Sequence, residues 1–204
     1  MKWLMTVLAG LMAWSTAIAG ELAPDAMIKN VTDDVLAIVR QDKDIQAGDT
    51  RKTVDLVQTK VLPHFDFERM TALAMGKDWR RANAAQQSAL VNEFRTLLVR
   101  TYSKALTEYR NQTMTIKLAR MQPDGGDARV QAKVRQPGGK DILLDYDLES
   151  RDQAWKVYDI SVDGISLVTN YRSSFAQEVS ANGIDGLIKS LHGKNQGTPD
   201  STKP

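Results

Sequence analysis

The spacing of apolar residues changes twice along this chain, and that change limits the folds open to it. From Pro24 to about Tyr109 the apolar side chains recur at helical intervals. From Thr113 to about Val162 they tend to alternate, and beyond that the helical interval returns. Helices flanking a block of strands point to an α+β chain, not to alternating βα units with a parallel sheet.

Within the first block, Met27, Ile28, Val31, Val35, Leu36 and Val39 form one stripe on a helix over 25–40. A second helix is expected from about Thr50 to Leu62, stopped by Pro63. Asp66 is placed to cap a third, which Gly76 ends. Asn83 with Gln86 three residues on opens the longest predicted element. Its stripe runs through Leu90, Phe94, Leu97, Leu98, Tyr102, Ala105, Leu106 and Tyr109. Such a helix would be about 39 Å long, enough to cross a sheet.

Four strands follow. Met114, Ile116 and Leu118 alternate with polar neighbours, as do Val130, Ala132 and Val134, and Ile142, Leu144, Tyr146 and Leu148. The turns Pro123–Asp127, Pro137–Gly139 and Arg151–Gln153 are short, which favours an antiparallel meander with one dry face. The fourth strand, Trp155 to Val162, has adjacent apolar residues at Val157 and Tyr158, so alternation alone leaves its facing open. A helix is expected over 173–182, closed by Gly183, and a last one from Asp185 through Leu191. The polar stretch 193–204 is expected to be disordered.

The first residues read as an export signal. Lys2 supplies the positive start, Trp3 to Trp14 form an apolar run, and Ala17-Ile18-Ala19 fits a small-x-small cleavage site. The run is shorter than the roughly 20 residues needed to span a bilayer. Cleavage after Ala19 would leave 185 of the 204 residues, a single domain over 20–192 with its tail. Only Lys2 among charged residues would be lost, leaving 26 basic against 25 acidic side chains. That balance gives no argument for nucleic acid as a partner. There are no cysteines, which excludes thiol chemistry and Cys-ligated metals.

A catalytic constellation is hard to assemble from what remains. His64 sits beside the Pro63 helix stop, and His192 lies at a helix C-terminus, where a cation is favourable. Asp145 and Asp147 share a strand face, the usual pattern of a solvated edge. The Gly pairs lie in hairpin turns, not between a strand and a helix where phosphate loops occur. No enzymatic activity, metal or cofactor is expected. The distinctive feature is the set of apolar faces, and periodicity does not separate a filled core from a hollow one.

Val61-Leu62-Pro63-His64-Phe65-Asp66-Phe67, followed by Met70, Gly76, Trp79-Arg80, Gln86, Phe94, Leu98, Tyr102 and Tyr109, forms a long ordered pattern. It continues through Trp155-Lys156-Val157-Tyr158-Asp159-Ile160, the run from Asp163 to Arg172, and Gly183-Ile184-Asp185-Gly186-Leu187. This pattern resembles the MlaC family, also known as the toluene-tolerance auxiliary component of ABC transport systems. The resemblance covers nearly the whole chain after the signal.

It implies a periplasmic phospholipid carrier of Gram-negative bacteria, acting as a monomer. The implied partners are an inner-membrane ABC transporter with a lipid-binding ring and an outer-membrane lipoprotein–porin complex, and the implied role is outer-membrane lipid asymmetry. The expected fold is a curved, cone-like four-stranded antiparallel sheet covered by a helical layer with one long helix, enclosing an apolar cavity. Lipid-lining candidates are Phe94, Leu98, Tyr102, Leu106, Met114, Ile116, Val130, Val134, Ile142, Leu144, Tyr146, Val157 and Ile160. Two other readings compete: an enzyme on the cone-shaped fold of nuclear transport factor relatives, needing an inward acid at Asp145, Asp147 or Asp159, and a lipid-free adaptor with a filled core. Exposed Arg80, Arg81 and Arg172 are candidate docking residues.

Overall fold

The structure is a computed structural model, and it describes residues 22–108, 112–122 and 125–197. The residues expected to form an export signal, Tyr109, the Pro123-Asp124 part of one turn and residues 198–204 lie outside that set. Helix α1 spans Pro24–Gln41, α2 Lys43–Gln46 and α3 Thr50–Leu56. A π-helical turn, Val57–Val61, and a 3-10 turn, Leu62–His64, carry the chain to α4, Phe67–Met75. A second 3-10 turn, Gly76–Arg81, leads to α5, Ala84–Tyr102, and α6, Lys104–Thr107. Strands β1 (Thr113–Met121), β2 (Asp127–Arg135), β3 (Ile142–Arg151), β4 (Ala154–Val162) and β5 (Ile165–Ser166) pair antiparallel in chain order. Helix α7, Leu167–Gln196, closes the described chain.

The α+β class and the meander agree with the sequence, with three differences of extent. Among the described residues the sheet has five strands, not four: after Val162 the turn at Asp163 and Gly164, both at positive φ, folds Ile165 and Ser166 back onto Val162 and Ser161. The helix opened by Asn83 is 19 residues long, about 28 Å, because the helix breaks at Ser103, a buried hydroxyl, before the four-residue α6. The capping box of Asn83 and Gln86 is present.

At the other end, α7 begins at Leu167, earlier than expected, because Ser166 accepts the Thr169 N–H. It bends at Gly183, whose φ of 71° and ψ of −178° suit only glycine. Helix continues past Gly193 to Gln196 where disorder is expected from sequence. The cause is Asn195, which is buried and donates to the Glu93 backbone carbonyl (3.0 Å) and carboxylate (2.6 Å) of α5.

The open question at Val157 and Tyr158 is resolved by a β-bulge. The ladder pairs Asp147 with Asp159 and Leu148 with Val157, so Tyr158 is the extra residue. Val157 turns into the core at 0% exposure, while the Arg69 guanidinium lies 3.6 Å from the centre of the Tyr158 ring.

Three apolar clusters divide the interior. Helices α4, α5 and α7 build one from Met70, Leu90, Phe94, Leu98, Phe175 and Leu191, among others. The second joins Met27 and Ile28 of α1 to Ala128, Val130, Leu148, Trp155 and Val157 of the sheet. The third, Val35, Val39, Ile45 and Leu56, sits between α1, α2 and α3. Phe65 packs against both of the first two and is bridged to Val157, whose carbonyl accepts the Asp66 N–H at 2.9 Å.

Asp66 ties this junction together. Its carboxylate caps α4 through the Arg69 N–H (2.8 Å) and accepts from Arg151 Nη1 (2.6 Å). Arg69 in turn pairs with Glu149, and with Asp127 at 3.3 Å. Burial acts to raise the Asp66 pKa, but these donors outweigh it and hold the carboxyl below its ordinary value. A depressed native pKa adds stability above the unfolded value near pH 3.9, and that stability is lost as the pH falls below it. Asp66→Asn keeps a capping oxygen but loses the charge. We expect it to lower the unfolding free energy near neutrality by about 1–2 kcal/mol and to flatten the acid limb of stability, as measured by urea titrations over a pH series. Parallel acid limbs for the two proteins would exclude this role.

Candidate ligand site

The β-ladder places one set of side chains on a single face. Met114 pairs with Val134 and Val134 with Ile142; Ile116, Ala132, Leu144 and Val162 form the next row; Val130, Tyr146 and Ile160 the third; Ala128, Leu148 and Val157 the last. Successive residues of a strand point to opposite sides, so these rows share the face covered by α1. All nine strand residues expected to line a ligand site (Met114, Ile116, Val130, Val134, Ile142, Leu144, Tyr146, Val157 and Ile160) are therefore brought together.

The face is not evenly covered. Val130, Leu148 and Val157 have 0% exposure, and Ala132 and Ala128 only 2% and 5%. Met114, Ile116, Val134, Ile142, Leu144, Ile160 and Val162 are half-buried. The apolar surface is thus sealed at the Leu148 end and left partly open toward Met114 and Ile142. Apolar side chains on the face packed by α1 thus keep partial contact with solvent at that end. At that open end a cleft of ≈ 420 Å³ separates α1 from β1, lined by Lys29, Thr32, Asp33, Leu36, Arg40, Thr113, Met114 and Ile116. Its volume lies in the range of small-molecule pockets, about 300–1,000 Å³.

The four helical candidates fall elsewhere. Phe94, at 0% exposure, meets Tyr171 and Phe175 edge-on with ring centres 5.1 and 5.2 Å apart, inside the helical cluster. Leu98 belongs to the same cluster, and Tyr102 packs at its margin. Burial, with Tyr171 nearby, pushes the Tyr102 hydroxyl up to about 12. Leu106 packs on the third cluster, beside Val31, Ile38 and Val61. Side chains of α1 opposite the sheet, chiefly Val31 and Leu36, are absent from the candidates that the sequence offers, although both stand in the α1 stripe. Only the packing of that helix against β1 and β2 identifies them.

Chemistry at this face is sparse. Tyr146 is the one polar side chain in its rows; its hydroxyl has no hydrogen-bond partner among the described residues, and burial alone pushes it to about 12. Asp145 pairs outward with Gln131 and Ser161, and Asp147 binds Arg129 at 2.6 Å on the same outer face. Asp159 is held at the β5 turn, where it accepts the Val168 N–H and the Ser166 hydroxyl. None of the three faces the apolar rows. Burial and then Lys156 lower the His64 pKa, which favours the neutral ring. Among the described residues no group of three or more His, Asp or Glu could hold a metal ion. Arg81 pairs with buried Asp78 within the 3-10 turn that follows α4, and Arg172 of α7 donates to the Leu73 carbonyl of α4 at 3.0 Å.

An MlaC family model matches residues 29–193. The chain belongs to the MlaC family. It is 24% identical over 196 residues to the intermembrane phospholipid transport system binding protein MlaC of Haemophilus influenzae, covering 93% of this chain and 91% of that one. It is 28% identical over 171 residues to the toluene tolerance protein ttg2D of Pseudomonas putida, covering 83% and 79%. Among solved structures, a phospholipid-binding protein of Ralstonia solanacearum in complex with a phospholipid superposes with a TM-score of 0.79 at 38% identity, over 85% of this chain and 97% of that one. The MlaC fold thus accounts for the meander, the α1 wall and the helical cluster together.

Tyr146 offers a test of the open surface. A hydroxyl without a partner contributes nothing to folding, so Tyr146→Phe should leave the unfolding free energy of lipid-free protein unchanged or higher. A loss above about 1 kcal/mol in urea unfolding would reveal a hydrogen bond worth that much and a more closed face.

Proposed function

We propose that this protein is an exported phospholipid carrier. In this reading the acyl chains lie against the half-buried sheet rows, under the wall formed by α1 and the turns after α3. Met114, Ile116, Val130, Val134, Ile142, Leu144, Tyr146, Val157 and Ile160 supply the floor; Leu106 and Tyr102 stand at its helical margin. Phe94 and Leu98 act at one remove, by fixing the helices that frame it. The observation that carries the reading is an apolar face, continuous across four strands, that its own helices leave partly uncovered. Similarity to a protein solved with a phospholipid supports the same ligand class.

The physics favours a carrier without catalytic groups. Each methylene hidden from water is worth about 0.8 kcal/mol. Two chains of roughly thirty methylenes would thus cost about 25 kcal/mol in free solution. A protein that crosses the periplasm must enclose the chains, but needs only to match the bilayer. Docking to an inner-membrane ABC transporter with a lipid-binding ring, and to an outer-membrane lipoprotein–porin complex, would then set the direction of exchange. Maintenance of outer-membrane lipid asymmetry follows from such traffic.

Native mass spectrometry, followed by organic extraction, tests this directly. One phospholipid per chain, released on unfolding, is the expected result. Leu144→Trp fills the centre of the floor and should lower lipid occupancy at least severalfold without preventing folding. Lipid-free protein that also takes up none from vesicles would favour the adaptor with a filled core.

A further inference from the structure

The cleft between α1 and β1 differs from the floor it opens onto. Lys29, Thr32, Asp33, Leu36 and Arg40 occupy positions i, i+3, i+4, i+7 and i+11 of α1, which places them in one stripe along the helix. This stripe runs beside the apolar one of Met27, Ile28, Val31, Val35 and Val39 that packs inward. Across the cleft stand Thr113, Met114 and Ile116 of β1. The rim is therefore cationic and hydroxylic, while the base of Leu36, Met114 and Ile116 is apolar and continues into the sheet rows.

Resting on the carrier reading above, we propose that this cleft is the seat of the ligand's phosphodiester, gripped by Lys29, Arg40 and Thr32, with the acyl chains passing over Met114 and Ile116 onto the floor. Two cations, Lys29 and Arg40, line the cleft beside one carboxylate, Asp33, and Arg40, which has a partner of its own, carries five donors in all. Lys29 lies 2.5 Å from Asp33, four residues on, and an ammonium has three donors, so two remain for a phosphate oxygen. Arg40 brings a planar fork suited to phosphate. The Thr32 hydroxyl has no hydrogen-bond partner among the described residues, and Thr113 lines the cleft at the start of β1. The exposure gradient agrees: the end sealed by Leu148 and Val157 suits chain termini, and the charged group stays at the open end, where it retains water.

This orientation is polar-end-first at β1, so it predicts which lipid features the protein reads. Delipidated protein is incubated with vesicles doped with dioleoyl phosphatidylethanolamine or, separately, with dioleoylglycerol, which has the same chains and no phosphate. Lipid per protein is counted after separation. Wild type should load the phospholipid at least tenfold better. The Lys29→Ala, Arg40→Ala double variant should lose about tenfold in phospholipid loading and nothing in dioleoylglycerol loading. Inorganic phosphate should not compete, because it lacks the chains that hold the group in place.

Equal loss of both lipids, or no loss of either, would overturn the phosphate seat while leaving the carrier reading intact. Competition by inorganic phosphate would also overturn it, in favour of a free-anion site. Wild type that loads neither lipid would sink the carrier reading itself. A location test does not depend on the double variant's folding. The chain has no cysteine, so a nitroxide on Thr113→Cys should broaden the phosphorus resonance of bound lipid severely; a sharp resonance would place the headgroup elsewhere.

Discussion

The register of the β-ladder is the constraint on which the rest of the molecule depends. Side chains alternate with period two, so a slip of one residue in β3 would send Leu144 and Tyr146 to water and bring Asp145 and Asp147 inward. The outer face guards against that slip. Arg129 pairs with Asp147 across β2 and β3, and Lys133 with Asp141 at the hairpin end, and each pair forms only in the observed register. The bulge at Tyr158 is part of the same device. It lets Val157 enter the sealed end while Ile160 and Val162 enter the open end, although strict alternation would put Val157 and Ile160 on opposite faces. It also turns Tyr158 toward Arg69, linking the sheet to α4.

That link explains how one chain supports a tight helical core and a loosely covered sheet side by side. The α4, α5 and α7 cluster is packed with aromatic rings and fixed at its far end by Asn195, His192 and Glu93. It touches the sheet chiefly through Phe65, Tyr158 and the network of Asp66, Arg151, Arg69 and Glu149. Stability can therefore reside in the helices and at the sealed end of the sheet, leaving the rows from Ile116 to Val162 less filled.

How much of this is legible in the residues alone follows from the range of each signal. Strand alternation is local, so the seven candidate residues on β1 to β3 stand out from the amino-acid pattern itself, whereas Val157 and Ile160 on β4 share a face only through the bulge at Tyr158. The capping residues Asn83 and Asp66 and the break at Gly183 stand out for the same reason. The length of α5 does not: Ala105, Leu106 and Tyr109 keep the helical spacing after Ser103, and nothing in the spacing records an interrupted ladder. Phe94 and Leu98 have the periodicity of a sheet-covering helix, yet they pack against α4 and α7. Apolar spacing states that a face is buried, not what it is buried against. Helix persisting to Gln196 is hidden because its cause, Asn195 reaching Glu93, joins residues about a hundred positions apart.

The placement of polar groups bears on how a carrier can release what it holds. If the floor were lined by hydrogen-bonding groups matched to a ligand, release into a bilayer would leave them unpaired, at a cost of about 1–3 kcal/mol each. The rows here carry one hydroxyl, that of Tyr146, and the remaining contacts are apolar and non-directional. A bilayer interior offers the same kind of contact, so the chains can leave without a large penalty in either direction. Groups capable of directional bonding stand instead at the rim, on α1 and β1, within reach of water when the ligand is gone. In the proposed carrier this separation would let the apolar face supply most of the binding free energy while the rim orients the ligand. A docked partner that supplies its own cations could then compete for the polar end first and draw the chains after it.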